Sequence, residues 1–75
     1  MAKAKPFNGH RSWNAWNVSL WLNNDEPLYR AMQDYKRRHG TLDKAARAMA
    51  RDMAGERTPD GGRYNFTTIR AAMVD

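Results

Sequence analysis

Lys44, Arg47 and Arg51 follow one another at spacings of three and four, so on a helix they share one face. Just ahead of them Lys36, Arg37 and Arg38 run together and are followed by Gly40. Ammonium and guanidinium groups gathered this way bind phosphates or carboxylates, and the planar guanidinium can do so through two parallel hydrogen bonds. If the segments carrying the two groups fold as a helical hairpin, the six cations join into one partner-binding patch. The plainer alternative is a solvated helix face beside a cluster of cations at a helix C-terminus, where the helix dipole favours positive charge. Asp43, four residues before Arg47, suits an internal ion pair that would remove part of the charge.

Other chemistry finds little to work with. His10 and His39 lie far apart, and Asp25 and Glu26 are neighbours that a helix would point in different directions. Capping and dipole roles explain the two acids. There is no nucleophile paired with a base, no metal-ligand spacing and no phosphate-binding glycine loop. The expectation is therefore a protein that is not an enzyme, with no metal, no cofactor and no small-molecule substrate. Trp13-Asn14-Ala15-Trp16-Asn17 repeats Trp-Asn at a spacing of three. Its amides, Asn14 and Asn17, are secondary candidates for partner contact together with Arg11, and the competing reading places the rings in the core and the amides on backbone groups.

The chain that must position these residues is short. Its 75 residues suffice for one domain. With 13 Lys and Arg against 8 acids it carries a net charge of +5, which favours anionic partners: nucleic acid, an acidic protein surface or anionic lipid. There is no Cys, which excludes disulfides and thiolate metal sites and suits a reducing, cytoplasmic setting. No apolar run approaches the roughly 20 residues of a membrane span, so no membrane partner is expected. Residues 1–11, where Lys3, Lys5 and Arg11 alternate with Pro6 and Gly9, read as a flexible basic arm, and 12–75 as a single helical domain.

Within that domain Ser12 suits an N-cap, and the apolar residues Trp13, Trp16 and Leu20, with Val18, Trp21 and Leu22 beside them, keep helical spacing with a wide apolar face. Asn24 or Asp25 starts a second helix with Pro27 in its first turn and Leu28, Met32 and Tyr35 inward. Thr41 starts a third with Leu42, Ala45, Ala46, Met49 and Met53 inward, stopped by Gly55. Thr58-Pro59-Asp60-Gly61 is a turn in which Gly61 or Gly62 takes a positive φ. A last helix starts at Thr67 or Thr68 with Ile69 inward. A helix-turn-helix is disfavoured, because about ten residues separate the last two helices where three or four are wanted. The fold class is all-α, a compact bundle of three to four short helices.

The string Trp16-Asn17-Val18-Ser19-Leu20-Trp21-Leu22-Asn23-Asn24-Asp25-Glu26, preceded by Asn8-Gly9 and followed late by Thr58-Pro59-Asp60-Gly61, resembles a group of short phage and mobile-element proteins that form a domain of unknown function. The resemblance implies a phage or prophage gene. It makes the leading expectation a small protein that binds a host protein or ribonucleoprotein complex and modulates or inhibits it, including anti-defence action on CRISPR or restriction complexes. The alternative is a nucleic-acid-binding accessory protein that uses its basic helical face.

Overall fold

The computed structural model describes residues 12–74. It contains α1 (Trp13–Asn24), α2 (Glu26–Arg38), α3 (Leu42–Asp52) and α4 (Phe66–Met73). Among the described residues there is no strand, and Arg57 and Arg63 form one isolated antiparallel bridge. The compact all-α fold expected from the periodicity is the one observed. The basic arm expected over residues 1–11, Arg11 included, lies outside the described residues.

Local chemistry sets the helix ends. The Ser12, Asp25 and Thr41 side chains accept hydrogen bonds from the backbone N–H groups of Ala15, Leu28 and Lys44, so each helix starts at the residue after its cap. α4 begins at Phe66, slightly before the expected threonines. Asn65 is its cap, and Thr68 completes a capping box by bonding back to the Asn65 backbone. Gly55, with φ 84°, follows α3 as a left-handed stop.

α1 and α3 lie across from one another, each packed on both α2 and α4. Between them Val18, Leu22, Met32, Ala45, Ala46, Met49, Tyr64, Ile69, Ala72 and Met73 form the core. Leu28, Tyr35, Leu42 and Met53, all expected inside, pack on its margin.

The inward face of α1 differs from expectation. Two apolar stripes run along this helix, one through Trp13, Trp16 and Leu20 and the other through Ala15, Val18 and Leu22. The second is the buried one, while Trp13 and Leu20 are each 39% exposed and Trp16 and Trp21 are half-buried. Side-chain size decides between them. Small Ala15 and Ser19 on the buried face suit close packing of α1 on α4, whose Ile69 and Ala72 share the core with Val18 and Leu22, whereas indoles on that face would hold the helices apart.

Candidate functional site

The segment between α3 and α4 folds as a small hairpin clipped to α1. The Thr58 N–H donates to the Gly62 carbonyl (2.8 Å) and the Gly61 N–H donates to the Thr58 carbonyl (2.8 Å). Gly61 has φ 96°, so the expected positive-φ residue is Gly61 and not Gly62. Gly62 serves close approach instead, since a Cβ there would stand 2.7 Å from Asn17 Oδ1.

Asn17 is the hub of the clip. It is 1% exposed, so the expected role at an exposed edge is replaced by a structural one. Its spacing on α1 aims it at the hairpin along with Asn14 and Trp21, because residues three, four and seven apart share a face. Asn17 Nδ2 donates to Asp60 Oδ2 (3.0 Å), and Trp21 Nε1 donates to the same oxygen (2.9 Å). The Thr58 hydroxyl donates to Asn17 Oδ1 and accepts from the Gly62 N–H. The Arg63 N–H donates to Asn14 Oδ1 (3.3 Å). Donors from Asn17 and then Trp21 hold the Asp60 carboxyl below its ordinary range. The α1 string and the late turn are thus two halves of one polar clasp.

The cations divide by whether a carboxylate neutralises them. Arg37 and Arg38 both bond Asp34, at 2.8 and 3.0 Å, and Arg38 also covers the Tyr35 ring. Lys36 Nζ donates to the Met73 carbonyl at the end of α4 (3.4 Å). Lys36 is thereby drawn to the α4 terminus, while Arg38, over Tyr35, stays near Asp52 at the end of α3. Arg30 pairs with Glu26 (2.9 Å). On α3, Asp43 takes Arg70 of α4 (2.6 Å) rather than Arg47, because the antiparallel helices bring Arg70 alongside. Arg47 lies over the Phe66 ring, 5.3 Å from its centroid. Arg51 keeps a loose contact to Asp52 at 3.7 Å, while the Asp52 carboxylate accepts a shorter bond from the Tyr35 hydroxyl (2.6 Å). Among the described residues Lys36, Lys44, Arg47, Arg57 and Arg63 have no acidic partner, Lys36 being held by the Met73 carbonyl instead. Arg57 and Arg63 escaped the sequence reading. Their placement on either side of Thr58-Pro59-Asp60-Gly61-Gly62 was the available signal, since a hairpin through that turn sets them opposite each other.

Two faces result. One is cationic: Lys44, Arg47 and Arg51 on α3 and Arg57 and Arg63 on the hairpin, linked through Phe66, which follows the hairpin in the chain and lies under Arg47; these make up the cationic strip. The second is the outer face of α1, a helix without a single charged residue, showing Trp13 and Leu20. A shallow cavity of about 200 Å³ opens between Leu20, Trp21, Asn24 and Asp25. A second of about 300 Å³ lies over Gly55, Glu56, Arg57, Arg63, Tyr64 and Asn65. Neither places a nucleophile beside a base. Among the described residues no helix is long and apolar enough to cross a membrane.

A family model described as Family of unknown function (DUF7249) matches residues 3–75, and the chain belongs to that family. No curated protein and no solved structure matches it.

Proposed function

We propose that this DUF7249 member works by binding and not by catalysis, and that its cationic strip engages the phosphate backbone of nucleic acid. One observation carries the reading. Lys44 and Arg47 on the outer face of α3 and Arg57 and Arg63 on the hairpin lack acidic partners, whereas on α2 Arg30, Arg37 and Arg38 pair with carboxylates and Lys36 is held by the Met73 carbonyl. Uncompensated guanidinium and ammonium groups along one edge make a phosphate-binding surface whose affinity falls with salt. The test compares two charge-reversed proteins on labelled single- and double-stranded oligonucleotides at about 50 and about 200 mM salt. Lys44→Glu with Arg47→Glu should weaken binding and lower the log–log salt slope by about 1 per contact. Arg37→Glu with Arg38→Glu should change it much less. Equal effects from both pairs, or no binding at the lower salt, would overturn the reading.

A second reading follows from the uncharged face of α1. Exposed Trp13 and Leu20 suit a protein surface, and a molecule with nucleic acid on one face and protein on another fits a nucleoprotein complex. The likeness of the α1 string to short phage and mobile-element proteins supplies a setting, a host complex that the protein modulates or inhibits as an anti-defence factor. In that case Trp13→Ser with Leu20→Ser should release the protein partner while leaving oligonucleotide affinity unchanged.

A further inference from the structure

Phe66 occupies the first position of α4 and is 37% exposed, with the Arg47 guanidinium against its ring. The residue before it, Asn65, lines the cavity of about 300 Å³ that also takes in Arg57 and Arg63. These two arginines face each other across the antiparallel bridge. Like charges set directly opposite in such a pair repel. Glu56 shares the cavity rim, yet it forms no ion pair with either arginine. Two guanidinium groups and one carboxylate leave a single positive charge. That matches a phosphodiester, which carries one negative charge, better than a terminal phosphate, which carries nearly two.

We infer that the Arg57–Arg63 cavity and Phe66 form one subsite for a unit of single-stranded nucleic acid, with the phosphodiester between the arginines and the adjoining base stacked on the phenyl ring. The inference rests on the nucleic-acid reading above and narrows it to an unpaired strand. In a duplex both faces of each base are covered by neighbours. Only an unpaired strand can turn a base onto an aromatic side chain while its backbone follows a cationic groove. The Arg47 guanidinium already covers one face of this ring, so the base stacks on the other, and the guanidinium adds a cation where the next phosphate would pass.

The full chain would be titrated with short single strands carrying 2-aminopurine, and with the matching duplex. The parent should bind the single strand more tightly than the duplex and should quench the 2-aminopurine. Phe66→Leu should weaken single-strand binding by about 10-fold and abolish the quench, with duplex binding unchanged. Phe66→Tyr should restore both, which separates loss of stacking from loss of fold. Arg57→Ala and Arg63→Ala should each lower the single-strand salt slope by about 0.7. If Phe66→Leu binds and quenches like the parent, or the duplex binds as tightly as the single strand, the subsite is overturned while the wider reading stands. If no oligonucleotide binds and an acidic peptide does, both fall.

Discussion

Asn17 shows how much one buried amide can organise. Its carbonyl accepts from Thr58 and its amino group donates to Asp60, so replacement by Ala leaves a hydroxyl without its acceptor and a carboxylate with one donor fewer. Asn17→Ala should therefore cost about 2–4 kcal/mol in urea unfolding, and a loss under about 1 kcal/mol would contradict the clasp. Asp60 links the same contact to pH. Folding lowers its pKa from the ordinary 3.8, so the stabilisation is present above that value and is lost as pH falls through the lower folded value. Asp52 acts in the same direction, chiefly through the hydrogen bond from Tyr35. Thermal melts taken below about pH 4 should show a falling midpoint, and Asp60→Asn should lose less on acidification than the parent. At the alkaline end the sign reverses. Tyr35, through its bond to Asp52, and Tyr64, through burial, are both raised above 10.0, so they stabilise the fold below that pH and cease to do so as it rises through their folded values.

At the scale of the element, α1 separates what a sequence displays from what packing decides. The caps Ser12, Asp25 and Thr41 were legible because a side chain bonding to an N–H three residues on is a local event. Asn65 was passed over for the neighbouring threonines because both residue types cap well, and the capping box that assigns Thr68 to the third position depends on the backbone already formed. The inward stripe of α1 was not legible. Both stripes keep helical spacing, no charge marks the wet side, and the heavier rings attract the core assignment. Their exclusion follows from the closeness of α4, which only small residues permit. Leu22→Ala should accordingly cost about 2–5 kcal/mol, and Leu20→Ala, two residues away, within about 0.5 kcal/mol, by chemical denaturation. Similar losses at both positions would show the helix to be rotated.

For the whole molecule, the arrangement of four helices matters more to function than any single contact. α1 and α3 each pack on both α2 and α4, so the uncharged aromatic face and the cations of α3 belong to different helices, while the hairpin arginines come next to α1 through the bond from Arg63 to Asn14. The six cations named from the sequence were recognised as a group, but their division was hidden. It depends on Asp34 gathering Arg37 and Arg38 and on the end of α4 reaching Lys36. Arg57, Arg63 and Phe66 enter the strip only through chain folding, since the hairpin lies beyond α3 and its arginines are brought to one edge by the turn.

The clasp between α1 and the hairpin also has a consequence in time. It joins residues 41 and 43 positions apart, while each helix closes through contacts four residues long. Such a connection can form only after the intervening loop has been ordered by docking of α2 and α3, so it belongs to the late, native side of the folding barrier. In a chevron experiment Asn17→Ala should leave the refolding limb nearly unchanged and raise the unfolding limb. The clasp then acts as a latch on the finished molecule, setting how long the native state lasts and not how quickly it is reached.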